Sequence, residues 1–315
     1  MAQTIVIQPV SRIEGHAKVT IRLDDQGNVA DTMVNVVELR GFEKFCVGRH
    51  VEEMPRITTS ICGVCPWSHH LAAAKACDAV FGVEIPPAAK KLRMLGNSIA
   101  YMEEHILHFY FLSGPDFLMG PGADYSVRNV IGIAQRFPEI GKRVIHSRYL
   151  GAKMLEILAV KPIHPVAAVP GGFSKPLTQE DVSALKPMAQ ELLEFAKFAM
   201  NFAKTEIFPK YLDVVQTLGV IRTGFLGTVK KNGKAEGAFD GYDGELRMRD
   251  AEGKFEDFRY DEYTDYIAEH VEPWSYLKFP YMKKVGKISM DLENPIGVYR
   301  TNTLARLNVS DYIDT

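Results

Sequence analysis

Cys62 and Cys65 are the residues whose type and spacing point most directly to chemistry. They stand three apart, and an apolar stretch typical of a helix follows from Leu71 to Val80. Unpaired N–H groups at a helix N-terminus favour the thiolate, which is the form of cysteine that binds soft metal ions. Pro66 suits the first turn of that helix, because the turn has no use for its missing N–H. The motif therefore predicts a metal-binding or reactive thiol pair with lowered thiol pKa values.

Several kinds of site are compatible with this motif taken alone. A c-type haem needs a histidine directly after the second cysteine, and Pro66 occupies that position. A thioredoxin-like site needs a βαβ context, whereas the surrounding pattern is helical. A structural zinc site needs four ligands, and the cysteine pair together with His69 or His70 supplies three or four. Zinc and a metal-free pair of buried thiols remain open alternatives.

The other cysteines are predicted to pack rather than react. Cys77 lies among alanines on the helix predicted for Leu71–Val80, and Cys46 follows Phe45 near a turn. Free cysteine often packs as a small apolar residue. Four cysteines in 315 residues are too few for a disulfide scaffold, so we expect reduced thiols.

The elements that must position the motif are mainly helical. One apolar stripe predicts a long helix that ends at Gly114-Pro115. Its members recur at helical spacing: Leu92, Leu95, Ile99, Met102, Ile106 and Phe109. Further helices are predicted over 124–137, 139–160 and 180–206, and the prolines and glycines between Pro162 and Gly172 predict an ordered, non-helical connection.

Sheet patterns flank this helical body. Alternation of apolar and polar residues over Ala17–Leu23, the turn signal Asp24–Asn28 and the stretch Val29–Leu39 predict a hairpin. A second sheet-like stretch runs from about 218 to 260, and the acid-rich region Asp240–Glu272 is predicted to be a solvated, β-rich surface insertion. No repeat or linker divides the sequence. We therefore predict a single domain over 1–315, mainly α, with a long-helix bundle and small peripheral β-sheets.

Composition excludes several classes of protein. Apolar residues make up 46% and charged residues 24% of the chain, which is the ordinary globular range. The net charge of −2 provides no broad basic field for nucleic acid. Apolar runs are shorter than a membrane helix requires, and the N-terminus lacks the pattern of a secretory signal. We expect no nucleic-acid partner, no membrane span and a cytoplasmic location.

A series of motifs along the chain resembles the large subunit of nickel–iron hydrogenases, in the order that the family has them. These segments are Arg12–His16, Arg40–Glu43, Ile61–Cys65 with His69, His105–Tyr110, His164-Pro165 with Pro170–Gly172, Gly297–Arg300 and Leu304–Asn308. The resemblance spans nearly the whole chain. In detail it is closest to soluble cytoplasmic hydrogenases that feed electrons into heterodisulfide-reductase-type partners.

The resemblance implies roles for individual residues. Cys62 would be a terminal nickel thiolate, and Cys65 would bridge nickel to an iron that carries cyanide and carbon monoxide. Glu14 would pass protons away from a nickel thiolate, as a carboxylate within hydrogen-bond reach of sulfur can. Glu43 would bind magnesium or a similar ion, because hard cations take carboxylate oxygen. His69 would donate a hydrogen bond to the bridging thiolate and tune the metals.

Simpler interpretations of the acidic residues stay open beside these roles. In one of them Glu14 pairs with Arg12 or is a surface charge, and in another Glu43 pairs with Arg40 or Lys44 at the surface.

Two further positions near the motifs allow two interpretations each. Glu104 matches a position where some relatives have an acidic residue close to the metals, and it equally forms an i, i+4 helix-surface pair with His108. A two-metal site built by Glu104, His105 and His108 lacks the paired Glu-x-x-His motifs of carboxylate-bridged bundles. For His70, packing and exposure are equally expected.

The function implied is reversible cleavage of dihydrogen into protons and electrons by the catalytic large subunit. A small subunit with iron–sulfur clusters is implied as partner, with further electron-transfer subunits, because this chain has too few cysteines for such clusters. The family's large subunit has a second Cys-x-x-Cys and a terminal histidine, whereas no cysteine follows Cys77 here. We therefore expect a chain that is C-terminally incomplete relative to the family and inactive alone. The alternatives are a non-catalytic relative of the complex I type and a zinc-binding module.

Overall fold

The computed structural model describes residues 3–233 and 235–312. Its strands are short: Thr4–Ile7 (β1), Ala17–Leu23 (β2), Val29–Val36 (β3), Ala168–Val169 (β4), Gly172–Phe173 (β5), Gly224–Val229 (β6), Glu245–Arg249 (β7), Phe255–Phe258 (β8), Ile267–Val271 (β9), Lys278–Met282 (β10) and Tyr299–Arg300 (β11).

The α-helices are longer and dominate the middle of the chain. They are Phe42–Cys46 (α1), Met54–Ile57 (α2), Pro66–Phe81 (α3), Pro87–Leu107 (α4), Val130–Arg136 (α5), Pro138–Ala159 (α6), Gln179–Phe202 (α7), Phe208–Thr217 (α8), Tyr263–Tyr266 (α9) and Asn302–Val309 (α10). Short 3₁₀ turns occupy Val51–Glu53, Thr58–Ile61 and Tyr260–Glu262, and π-helical turns occupy His108–Ser113, Pro115–Met119 and Ala203–Ile207.

These elements form two compact units. The helical unit consists of Val10–His16 and Glu38–Leu212. The sheet unit consists of the described residues up to Pro9, from Ala17 to Val37 and from Asp213 onward. The single domain over 1–315 stays a prediction.

The core of the helical unit lies on the apolar stripe of α4. Ile99 and Ile106 are buried, and the stripe packs with α6 and α7 into one cluster. This cluster also contains Trp67 of α3 and Leu158 of α6, which are buried. The apolar stripe therefore buries the face that its 3.6-residue period predicts.

Two helix boundaries differ from those predicted. Gly114 keeps a right-handed helical conformation, and Pro115 begins the next π-helical turn, so the helical path continues to Met119. Pro115 does not break the chain there because the first positions of a helical segment need no N–H donor. The helix predicted from 124 starts only at Val130, since the Asn129 side chain accepts the N–H groups of the first turn.

The sheet unit contains antiparallel sheets. β1, β2 and β3 form one antiparallel sheet, which confirms the predicted hairpin. β6, β7 and β8 are antiparallel within the predicted second sheet, and β11 adds a parallel edge to β6. Met248, Phe258 and Met282 form the core of this unit. The mainly helical fold with small sheets is as predicted.

Over residues 3–233 and 235–312, no helix combines the length and the apolar character that a membrane crossing demands.

Candidate metal centre

The two thiols meet at the start of α3. Cys62 is extended at the end of the Thr58–Ile61 turn, and Cys65 is the N-cap residue of α3. The N–H of Cys65 donates to the sulfur of Cys62 at 3.1 Å. Both sulfurs and one ring nitrogen of His69 lie within 4.8 Å of one another, and both cysteines are half-buried. The fold thus places three soft donors around one point.

Glu14 reaches the thiol pair from a distant part of the sequence. The thiol of Cys62 donates to Oε1 of Glu14 at 3.1 Å, across 48 positions. Arg12 does not pair with Glu14, because its guanidinium binds Asp116 at 2.8 and 2.9 Å. The interpretation of Glu14 as the partner of Arg12 is therefore wrong.

Burial and like charges act against thiolate formation at Cys65. Burial raises the pKa of the Cys65 thiol to about 12, together with its contact to Cys62 and the negative charge of Glu104 and Glu14. The lowered pKa expected from the helix N-terminus is therefore wrong at this residue. Burial and neighbouring negative charge outweigh the helix dipole there. A bound cation reverses that balance, since coordinated thiols lose their proton.

Two adjacent carboxyl groups on α4 are also held toward the neutral form. Burial raises the pKa of Glu104 to about 7, and the charge of Glu103 adds to this effect. Burial raises the pKa of Glu103 as well, although Arg148 contacts Glu103 at 3.1 Å and opposes the shift. Within residues 3–233 and 235–312, the side chains of Glu104 and His108 form no ion pair, so the predicted helix-surface pair is absent.

His70 is a packed residue with defined partners. It is 1% exposed, its Nδ1 lies 2.8 Å from the carbonyl of Pro55, and its Nε2 lies 2.8 Å from the N–H of Ala168. This geometry assigns the proton to Nδ1, which donates to Pro55, while Nε2 accepts from Ala168. Burial lowers the pKa of His70 and keeps it neutral.

A buried charge network behind α3 escaped the sequence analysis. Arg93 is 0% exposed and contacts Asp78 at 2.6 Å. Its guanidinium also donates to the carbonyls of Val169 and Gly172, and Asp78 accepts the N–H of Gly171. These contacts tie the β4–β5 hairpin to α3 and α4. A charged residue beside the apolar stripe of α4 was the signal available in the sequence.

Known proteins match nearly the whole length of the chain. A family model described as HoxL-like matches residues 4–39, and one described as nickel-dependent hydrogenase matches 40–123. The chain is 46% identical over 312 residues to one subunit of the vhu F420-non-reducing hydrogenase of Methanocaldococcus jannaschii, covering 99% of this chain and 72% of that protein. It is also 46% identical to one subunit of the F420-non-reducing hydrogenase of Methanothermobacter thermautotrophicus, covering 98% and 63%.

The chain belongs to the nickel–iron hydrogenase large-subunit family.

A solved structure agrees with this assignment. An NAD⁺-reducing [NiFe]-hydrogenase in the H₂-reduced state superimposes with a TM-score of 0.91 and 38% identity, covering 99% of this chain and 67% of that one. Membership confirms the predicted family, fold and enzyme class, which is an oxidoreductase acting on dihydrogen. The subgroup linked to heterodisulfide-reductase-type partners stays a prediction.

The donor set fits part of the family's nickel–iron centre. Cys62 and Cys65 present two soft sulfurs to one point, and soft thiolates suit nickel and iron. Burial and like charge raise the pKa values of Cys65 and Glu104, and a multivalent cation would relieve this penalty. Cys62, Cys65 and His69 offer three ligands in the described part of the chain, one fewer than a closed zinc site needs.

The other predicted residues lie apart or await a test. Glu43 is exposed in the first turn of α1, outside the Cys62–Cys65–His69 group. Its pairing with Arg40 or Lys44 and its magnesium role both stay predictions. Cys77 is 1% exposed and its thiol contacts the carbonyl of Val51 at 3.1 Å, as expected for packing. Cys46 is half-buried.

Proposed function

We propose that this chain provides half of the thiolates and the first proton acceptor of a nickel–iron hydrogenase. The reaction is H₂ ⇌ 2H⁺ + 2e⁻, run reversibly. Cys62 and Cys65 would hold the group, as a terminal and a bridging thiolate, with cyanide and carbon monoxide on the iron. The convergence of their sulfurs with the carboxylate of Glu14 carries the proposal. When bound, the group supplies heterolytic cleavage of dihydrogen.

Glu14 removes the proton from the site. Its Oε1 lies 3.1 Å from the sulfur of Cys62, which is hydrogen-bond distance for a thiol. A proton on that sulfur moves to the carboxylate without any change in backbone position, and it returns by the same contact in the reverse reaction. Such positioned proton transfer contributes about 100- to 10,000-fold to a rate.

Three further side chains would tune or complete the site. His69 stands beside both sulfurs and would donate a hydrogen bond to the bridging thiolate. Glu104, with its pKa raised to about 7, is suited to exchange protons near neutral pH. Glu43 would hold magnesium or a similar ion through its exposed carboxylate.

Electrons would leave through a partner. The relatives are, by name, single subunits of F420-non-reducing hydrogenases, which implies further subunits beside them. We propose a small subunit with iron–sulfur clusters, further electron-transfer subunits and a cytoplasmic location. The second thiolate pair would reach the site from polypeptide beyond the 315 residues of this sequence, which contain no cysteine after Cys77.

Elemental analysis of a matched cysteine pair tests this function. Wild-type protein isolated with its natural partners is compared with Cys62→Ser and with Cys46→Ser. We expect about one nickel per chain in wild type and in Cys46→Ser, and background nickel in Cys62→Ser, because oxygen replaces a soft ligand.

Two results would contradict the proposal. Retention of nickel in Cys62→Ser would show that the thiol pair does not hold the metal centre. Zinc in place of nickel and iron, in material containing a second cysteine pair, would favour the zinc module.

A further inference from the structure

The loop that carries Glu14 is held in place by side chains. Val10–His16 belongs to the helical unit, while the residues on either side of it belong to the sheet unit. Among residues 3–233 and 235–312, this loop forms no backbone–backbone hydrogen bond with another segment. Backbone hydrogen bonds therefore do not fix the position or orientation of Glu14 relative to the sulfur of Cys62. Specific side-chain contacts must fix them.

Arg12 makes the most extensive of those contacts. Nη1 and Nη2 donate to the two carboxylate oxygens of Asp116 at 2.8 and 2.9 Å, and Nη1 also donates to the carbonyl of Leu112 at 2.9 Å. A two-pronged arginine–carboxylate pair fixes direction as well as distance. Arg12 stands two residues before Glu14, so its anchorage fixes the start of the peptide that carries the carboxylate.

The anchor point is itself well held. Asp116 lies in the π-helical turn Pro115–Met119, and Nε of Arg128 lies 3.7 Å from Oδ1 of Asp116, an oxygen that Arg12 also binds. Asp116 therefore contacts two guanidinium groups. Single-turn π-helical segments are frequent at functional sites.

The backbone of the loop has a strained conformation at Arg12 that side-chain contacts must hold. Arg12 has φ +57°, a left-handed conformation that a residue with a Cβ adopts only at a cost in free energy. Strained positions of this kind persist where surrounding contacts determine them. At the far end, His16 contacts Glu38 on the surface, where both side chains are substantially exposed. The half-buried Arg12 pair is therefore the stronger constraint on the loop.

We propose that Arg12 and Asp116 are a positioning pair that holds the Glu14 carboxylate against the sulfur of Cys62. Neither residue touches the sulfurs, and both act through Glu14. This inference rests on the proposed function for the role of Glu14, while the placement of the loop is a separate physical claim.

A double-mutant cycle separates action through Glu14 from general structural damage. The variants are Arg12→Gln, Glu14→Gln and the double variant, all in the holoenzyme, assayed by D₂–H⁺ exchange and dihydrogen oxidation with a dye acceptor. We expect Glu14→Gln to lower kcat by about 100-fold or more. Arg12→Gln lowers it by roughly 10- to 100-fold through misplacement. The double variant should have the same kcat as Glu14→Gln alone. Once the carboxylate has been removed, the misplacement caused by Arg12→Gln lowers the rate no further.

A second readout needs no metal. Crystal structures of the metal-free protein give the distance from Oε1 of Glu14 to the sulfur of Cys62, which is 3.1 Å in wild type, and we expect a longer distance in Arg12→Gln and in Asp116→Asn. Arg259→Gln is the matched control, because Arg259 forms an equally short pair with Asp261 at 2.9 Å on the surface of the sheet unit. We expect the wild-type kcat and the wild-type Glu14–Cys62 distance in that control. Arg12→Lys restores part of kcat, since an ammonium keeps the charge but loses the two-pronged geometry.

The failures are distinguishable. Additive losses in the double variant, or an unchanged distance from Glu14 to the sulfur of Cys62 in Arg12→Gln, would overturn the positioning pair while Glu14 kept its role. A wild-type kcat in Glu14→Gln would overturn the proton-acceptor role of Glu14. The Arg12–Asp116 pair would then have no role in catalysis.

Discussion

Half-buried carboxyl groups on α4 and an ion-paired carboxyl group in the sheet unit have pKa values that are shifted in opposite directions. In the helical unit, burial raises the pKa of Glu103 and brings that of Glu104 to about 7. In the sheet unit, the guanidinium of Arg247 lies 2.7 Å from Asp257 and lowers the pKa of that carboxyl group. Arg148 compensates only in part for the burial of Glu103 and Glu104, whereas Asp257 is paired with Arg247.

The groups whose ionisation is disfavoured lie at the proposed metal centre. Asp257 contributes to stability because its charge is satisfied by Arg247 and Lys231. Glu104 and Cys65 are held away from their charged forms near the sulfurs. A fold keeps unfavourable ionisation where a cofactor or a proton uses it, and perturbed groups accordingly cluster at functional sites.

The largest effect is expected at the buried arginine of the helical unit. Arg93→Met removes a fully buried guanidinium that binds Asp78 and two backbone carbonyls. Asp78 then keeps an uncompensated charge in a site that it shares with the N–H of Gly171. We expect the free energy of unfolding to fall by about 3–5 kcal/mol, measured by urea denaturation of the isolated chain.

The matched variant in the sheet unit is Arg259→Met. Its pair with Asp261 is more than half exposed on each side, so we expect no loss of stability that urea denaturation resolves. Equal losses at Arg93 and Arg259 would show that burial does not distinguish the two charges.

An intermediate effect is expected at a packing contact directly behind the thiol pair. A Cβ added at Gly96 would lie 2.1 Å from the ring of Trp67, which follows Pro66 in α3 and is 2% exposed. A buried indole has no room to withdraw, so Gly96→Ala should lower the free energy of unfolding by about 1–3 kcal/mol. Gly122→Ala is the control, because nothing lies within 4 Å of its added Cβ. A lower midpoint of thermal denaturation for Gly122→Ala than for Gly96→Ala would contradict this packing.

The smallest effect concerns pH and has opposite signs in the two units. The folded state favours neutral Glu104, whose pKa is raised to about 7 from a usual 4.5. The contribution of Glu104 to the free energy of unfolding is therefore largest below pH 4.5 and is lost as the pH rises to 7. Glu104→Gln should therefore be more stable than wild type at pH 8, by about 1–2 kcal/mol, and equal to it at pH 4. The measurement is urea denaturation of the metal-free chain at both pH values.

Asp257 supplies the opposing slope. Its pKa lies below the usual 3.8, so its stabilisation is present above pH 3.8 and is lost as pH falls through the lowered folded value. Asp257→Asn should be less stable than wild type by about 1 kcal/mol at pH 7 and approach it at pH 2. The difference in unfolding free energy between variant and wild type should change with pH in opposite directions for Glu104→Gln and Asp257→Asn. A change in the same direction would refute the contrast between these two carboxyl groups.

Sequence determined the helices, the hairpin and the chemical type of the site. A stripe at 3.6-residue period must bury one face, so the course of α4 follows from residue order alone. Cys62 and Cys65 are neighbours in the chain, and their shared donor point is a local property of the loop before α3. The family motifs were likewise readable without coordinates, including Glu14 and His69.

Tertiary structure decided everything that depends on segments distant in sequence. Glu14 meets Cys62 across 48 positions, and Arg12 passes over Glu14 to bind Asp116 across 104. The pKa of Cys65 followed burial and charges brought by other segments, against the helix dipole that local sequence suggested. Local patterns encode which face of an element is apolar, whereas ion pairs, burial and electrostatic fields exist only after those faces have packed.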